Sequence, residues 1–104
     1  MVKNRRFFVL ITGYIYCISN AINNKLYVGK TLSSLKERLR EHITDAKKPH
    51  RENRPLYRAM NKYGSDNFTI SLLEEVPMDQ LADREMYWIE KLDTYKNGVR
   101  TYKG

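Results

Sequence analysis

The feature that most limits what this chain can become is a pair of aromatic and β-branched runs, Tyr14-Ile15-Tyr16-Cys17-Ile18 and Leu26-Tyr27-Val28-Gly29, on either side of Asn23-Asn24. Asparagine tolerates positive φ, so these two residues can close an antiparallel hairpin without strain. A period of two puts Tyr14, Tyr16 and Ile18 on one face of the first strand and Ile15 and Cys17 on the other. Tyrosine in a strand commonly reflects β-propensity alone. What sets Tyr16 and Tyr27 apart is the pattern that follows them.

After Gly29 the apolar period becomes 3.6. Ser34 and Glu37 form a capping box, and Leu35, Leu39, Ile43 and Ala46 make one stripe, which predicts a helix over 34–47. Arg38 and His42 lie one turn apart at the edge of that stripe, where both can reach the surface. Residues 47–54 are polar, contain Pro49 and read as a loop. Pro55 opens a short second helix, with Leu56, Ala59, Met60 and Tyr63 in helical register and Gly64 ending it. Phe68, Ile70 and Leu72 alternate with Thr69 and Ser71 as a third strand, and Pro77 closes the segment after Val76.

A last helix should run from about Asp79 to about Asp93. Its face holds Leu81, Trp88, Ile89 and Leu92, with Glu85 in the middle. Burying an unpaired carboxylate is costly, so Glu85 calls for a metal, a raised pKa or a cationic partner such as Arg84 or the basic first helix. Asn97-Gly98 marks a turn in the tail. The whole reads as an α+β domain, a small three-stranded antiparallel sheet flanked by three helices. Residues 1–12 form a lead-in, 13–98 the domain, and 99–104 a tail or the start of a linker.

The chain's 104 residues suffice for one modest core. A net charge of +7 and a pI near 9.6 point to a polyanionic partner. The charge is uneven: Lys36 to Lys62 carries nine Lys/Arg against four Asp/Glu, whereas Glu74 to Asp93 carries seven acids against Arg84 and Lys91. One side of the fold should therefore face the polyanion. Cys17 is the only cysteine, which rules out an intrachain disulfide and a thiolate metal cluster and suits a reducing compartment. Phe7-Phe8-Val9-Leu10-Ile11 is too short for a secretory signal, and nothing approaches a membrane span.

Phosphodiester cleavage needs a nucleophilic water, a group to take its proton, and positive charge on the phosphate. Arg38 suits the last role, because guanidinium binds phosphate oxygens bidentately. Glu85 could hold one magnesium ion, which keeps most of its waters and takes one or two protein carboxylates.

Tyr14-Ile15-Tyr16 and, ten residues further on, Tyr27-Val28-Gly29 resemble the paired signature of the GIY-YIG endonucleases. The resemblance continues through Glu37-Arg38, His42, Asn61-Lys62-Tyr63-Gly64 and Arg84-Glu85-Met86-Tyr87-Trp88-Ile89, and is nearest to the catalytic domains of phage and intron homing endonucleases. It implies Mg²⁺-dependent hydrolysis of DNA, with Mn²⁺ able to substitute, no small-molecule cofactor, a monomer, and a cytoplasmic setting in a bacterium or phage-infected host. It implies that Tyr16 contacts the scissile phosphate or the attacking water, and that Tyr27 is a base or water-positioner activated by a neighbour such as Lys30. Arg38 would bind phosphate with Lys30 beside it, His42 would be an alternative base, and Glu85 the metal ligand. His50 falls about one residue out of register with a histidine of some members and is left outside the site. Gly13 precedes Tyr14 where the family's leading glycine stands, and Arg100 occupies the place of a family asparagine. Homing members add a linker and a DNA-binding domain, so the chain is expected to be part of a longer enzyme. The rival reading is a non-catalytic DNA-binding module that retains the fold.

Overall fold

The computed structural model describes residues 11–93 and 101–102. In chain order the elements are β1 (Thr12–Asn20), β2 (Leu26–Thr31), α1 (Leu35–Asp45), α2 (Pro55–Tyr63), β3 (Phe68–Pro77) and α3 (Leu81–Leu92). Short 3-10 turns at Ser65–Asn67 and Met78–Gln80 lead into β3 and α3, so the last helix starts two residues later than its periodicity suggests. The three strands form one antiparallel sheet in the order β2-β1-β3, as expected for an α+β domain of this kind. The lead-in before Ile11, the Asn97-Gly98 turn and Arg100 lie outside the described residues.

Local chemistry accounts for the element ends. Asn24 takes φ 62° in the β1–β2 turn, the left-handed conformation that an asparagine accepts at low cost. At the start of α1 the Ser34 hydroxyl accepts from the Glu37 backbone N–H at 3.1 Å, while the Glu37 carboxylate pairs with Arg40. The expected capping box is thus realised in its Ser34 half. Pro55 opens α2, where its missing N–H costs nothing, and Gly64 ends it at φ 92°.

The sheet separates two apolar clusters. On one face Tyr16, Ile18 and Phe68 pack with Leu56, Tyr57, Ala59 and Met60 of α2, and Leu35, Leu39 and Ile43 of α1 close over them. On the other face Ile15, Val28 and Val76 pack with Leu81, Trp88, Ile89 and Leu92 of α3. Cys17 is buried in the central strand, as a small hydrophobe would be.

A register shift makes β3 serve both clusters. Tyr16 pairs with Leu72 but Ile15 pairs with Glu74, which leaves Leu73 as the extra residue of a bulge. Directly opposite residues share a face, so Phe68 and Ile70 point towards α1 and α2, whereas Glu74 and Val76 point towards α3. The alternation read from the sequence therefore holds only up to Leu72.

At the β2 edge, Thr101 forms a parallel bridge with Leu26, and the Tyr102 N–H donates to the Leu26 carbonyl at 2.6 Å. The Tyr102 ring is buried in the first cluster, where Asn20 Nδ2 donates to its hydroxyl at 3.0 Å.

Tyr16 stands opposite Gly29 in the β1–β2 register. A Cβ at Gly29 would come within 2.9 Å of the Tyr16 Cε1 and closer still to its hydroxyl, so the ring lies across a residue that has no side chain. Gly29→Ala should therefore destabilise the fold by about 1–3 kcal/mol, the usual cost of overpacking. Urea unfolding checks this, and an unchanged midpoint would mean that the ring does not need that space.

Candidate active site

Tyr16 and Tyr27 reach the same face of the hairpin from neighbouring strands, with ring centroids 6.3 Å apart. Arg38 and His42, one turn apart on α1, descend onto them. His42 packs edge-on against both rings, at 6.0 Å from Tyr16 and 5.5 Å from Tyr27. Tyr57 of α2 completes the group at 5.7 Å from the imidazole. Four of the residues singled out by sequence thus converge, and a fifth joins them that the pattern had assigned to no chemistry.

His42 does not reach the surface as its helical position suggested. It is 2% exposed, because the sheet and α2 both cover its side of α1. Its Nε2 lies 2.7 Å from Tyr16 Oη and its Nδ1 2.9 Å from Tyr57 Oη. Burial, reinforced by the Arg38 charge, lowers its pKa to about 4, so the ring is neutral at pH 7. With both nitrogens engaged, it has no free lone pair for a substrate water.

The two tyrosines differ in what they have left to offer. Tyr16 is fully buried, and its oxygen also accepts from Arg38 Nε at 3.3 Å. Burial raises its pKa above the usual phenol range, and the nearby Tyr27 adds to this while Arg38 opposes it. Tyr27 is half-buried, and its hydroxyl has no hydrogen-bond partner among the described residues. Burial raises its pKa too, with the Glu85 carboxylate the next cause. Arg38 turns its Nη1 to Glu41 at 3.1 Å.

Glu85 comes from α3 on the far face and meets β2 at the sheet edge. Its Oε1 holds Lys30 Nζ at 3.0 Å, with the carboxylate side chain 20% exposed. The cationic partner required by its place on an apolar face is therefore Lys30. Arg84 pairs instead with Glu74 at 2.8 Å, and Trp88 Nε1 donates to the same oxygen. Tyr27 pairs with Ile18 and Lys30 with Ile15, so the two project to opposite faces of the edge strand, yet the Glu85 charge lies close enough to act on the Tyr27 hydroxyl. Among the described residues no three His, Cys, Asp or Glu side chains converge as a metal cage. What the site fits is a largely hydrated divalent ion on a single carboxylate. His50 is exposed in the α1–α2 connection at φ 69°, apart from the cluster.

Tyr57 escaped the sequence reading because its position on α2 is that of an ordinary core aromatic. The one available signal was its place beside Leu56 on the buried side of a helix that must pack against the Arg38 and His42 helix.

The three-stranded sheet thus carries Tyr16 and Tyr27 on one face of its hairpin, with Arg38 and His42 on the next helix and Glu85 on the last. The GIY-YIG catalytic domain family matches residues 12–100, and the chain belongs to that family. It is 38% identical over 86 residues to Intron-associated endonuclease 1 of Enterobacteria phage T4, covering 81% of this chain and 34% of that protein. It is 44% identical over 71 residues to the putative MSV199 domain-containing protein 146R of Invertebrate iridescent virus 6, covering 68% of this chain and 28% of that one. Among solved structures, the catalytic domain of homing endonuclease I-TevI superposes with a TM-score of 0.68 at 33% identity, covering 88% of this chain and 99% of that one. A mutant of the I-TevI catalytic domain gives 0.70 at 33% identity, covering 88% and 92%. The protein is thus a GIY-YIG nuclease domain related to a homing endonuclease catalytic domain. It spans about a third of the length of these curated relatives. Among the described residues no helix is long and apolar enough to cross a membrane.

The depressed His42 pKa carries a sign. Below its unfolded value near 6.5 the unfolded chain takes up a proton that the folded chain refuses until about pH 4. Stability should be full above pH 6.5 and fall as the pH drops, by about 2 kcal/mol between pH 6.5 and 5. Urea unfolding across this range should show the slope in the wild-type protein and lose it in His42→Gln. An equal slope in both would mean that another group carries it.

Proposed function

We propose that this domain hydrolyses DNA phosphodiester bonds with one divalent ion, Mg²⁺ or in its place Mn²⁺, held on Glu85. The observation that carries the reading is the division of labour between the two tyrosines. Tyr16 is tied down by Arg38 and His42, whereas the Tyr27 hydroxyl has no hydrogen-bond partner among the described residues and feels the charges of both Arg38 and Glu85. Arg38 meets the scissile phosphate with the guanidinium donors not spent on Tyr16 and Glu41, and opposes the negative charge that builds there. Tyr27 orients the attacking water by a hydrogen bond. As a neutral phenol with a raised pKa it is a poor base, so orientation is its main contribution. His42 acts from behind by holding Tyr16. The ion, when bound, supplies Lewis-acid polarisation of the phosphate and a more acidic water. Lys30 shares the Glu85 carboxylate and, when released, adds a second positive charge beside the phosphate.

The basic stretch between Lys47 and Arg58 supplies the phosphate contacts that hold the flanking duplex. The reading fits a cytoplasmic enzyme acting as a monomer. A second reading, a DNA-binding module without catalysis, draws on the fact that the Glu85 carboxylate already has a cation in Lys30.

Supercoiled plasmid tests both readings. The wild-type protein should nick it in Mg²⁺ and Mn²⁺ and stop with chelator, while Arg38→Ala and Glu85→Ala each lose at least about 100-fold in rate with unchanged circular dichroism. Undiminished cutting by Glu85→Ala would remove the metal assignment. A gel shift with no nicking in either ion would favour the binding module.

A further inference from the structure

Burial of His42 excludes water from its ring, so both nitrogens depend on protein partners. Tyr16 Oη lies 2.7 Å from Nε2 and Tyr57 Oη 2.9 Å from Nδ1. A neutral imidazole carries a single N–H, so one nitrogen donates and the other accepts. Arg38 decides which. Its Nε–H can only donate, and it lies 3.3 Å from Tyr16 Oη, so that oxygen already receives one proton. Were His42 also to donate there, the Tyr16 hydroxyl proton would have no acceptor in a residue that is 0% exposed. The order that follows runs from Arg38 Nε–H to Tyr16 Oη, from Tyr16 O–H to His42 Nε2, and from His42 Nδ1–H to Tyr57 Oη; it hands the last hydroxyl proton to Tyr57, which at 4% exposed against 0% for Tyr16 is the better placed of the two to meet solvent.

We propose that Tyr57 is a positioning residue: by accepting from His42 Nδ1–H it fixes the imidazole as that tautomer and so leaves Nε2 to receive the Tyr16 proton. The two faces of the ring are thereby assigned different tasks, as happens when the hydrogen bond at one nitrogen selects the tautomer that acts at the other. Tyr57 is 4% exposed, and α2 holds it by burying Leu56, Ala59 and Met60 around it. Because the Tyr16 proton is directed inward, its oxygen presents a lone pair to Arg38 Nε and holds the guanidinium beside it. The kinetic consequence rests on the nuclease reading above, and the tautomer does not.

Nitrogen-15 spectra of the labelled protein test the tautomer directly. The chain has two histidines, and His50→Ala identifies the signals of the exposed one. His42 should appear as the Nδ1–H form with a slowly exchanging ring proton, and Tyr57→Phe, which removes only the hydroxyl, should speed that exchange and mix the two tautomers. Plasmid nicking by Tyr57→Phe should show kcat lowered about 10- to 100-fold, with KM for DNA within about twofold. A wild-type His42 in the Nε2–H form, or a Tyr57→Phe protein with unaltered ring signals, overturns the proposal, as does an unaltered kcat. Absence of nicking by the wild-type protein would fail the nuclease reading while the ring spectrum still decides the role of Tyr57. Should Tyr57→Phe not fold, the wild-type tautomer decides it.

Discussion

The hydrogen bond between Tyr16 and His42 is the constraint around which this domain is built. It joins the central strand to α1 inside a hydrophobic cluster, at a place where an unmatched polar group would cost about 1–3 kcal/mol. Such a bond penalises any packing that leaves either partner unpaired. The angle of α1 over the sheet is therefore fixed by polar pairing as well as by Leu35, Leu39 and Ile43. Arg38, one turn away on the same helix, inherits that placement. Its guanidinium can stand beside Tyr16 only because His42 anchors the turn beneath it.

The second constraint is that the groups proposed to act together come from opposite faces of one thin sheet. Tyr27 points towards α1 and α2, whereas Glu85 arrives on α3 from the other side, and the two can approach because β2 is the edge strand. A central β2 would have a neighbour in the way. The bulge at Leu73 belongs to the same arrangement: it turns Glu74 and Val76 towards α3, where Glu74 takes Arg84 and Trp88 and thereby leaves Glu85 to Lys30. Of the acidic last third, Glu74 and Glu85 fix α3, through Arg84 with Trp88 and through Lys30, while in the basic middle Arg38, Arg40, Lys48 and Arg51 pair with Glu41, Glu37 and Asp45.

Much of this was legible in the sequence because it is local. The hairpin around Asn24, the Ser34 cap, the Pro55 start and the Gly64 stop all follow from the backbone preferences of single residues. The stripes of α1 and α3 held the helix members of what read as one core and is divided by the sheet into two clusters, and the misfit of Glu85 called for a metal, a raised pKa or a cationic partner, the last of which is Lys30. What the sequence left hidden depends on tertiary pairing. A bulge has no composition signature, so β3 read as a strand of constant parity. His42 stood at a stripe edge and looked exposed until α2 covered it. Tyr57 was indistinguishable from a core aromatic, since only the meeting of α2 with α1 brings its hydroxyl to Nδ1. Lys30 was visible as a neighbour of Tyr27, but its bond to Glu85 crosses 55 residues of chain.

The central claim is that the β2 edge, between Tyr27 and Glu85, is where the reaction takes place, with Tyr16 and His42 as its buried brace. Anomalous scattering from crystals of the protein grown with Mn²⁺ and a short DNA duplex tests this most directly. The account predicts one manganese peak about 2 Å from a Glu85 carboxylate oxygen, a phosphate against Arg38, and Lys30 displaced from Glu85. A manganese ion bound elsewhere, with the Lys30 to Glu85 pair intact beneath the DNA, would contradict it.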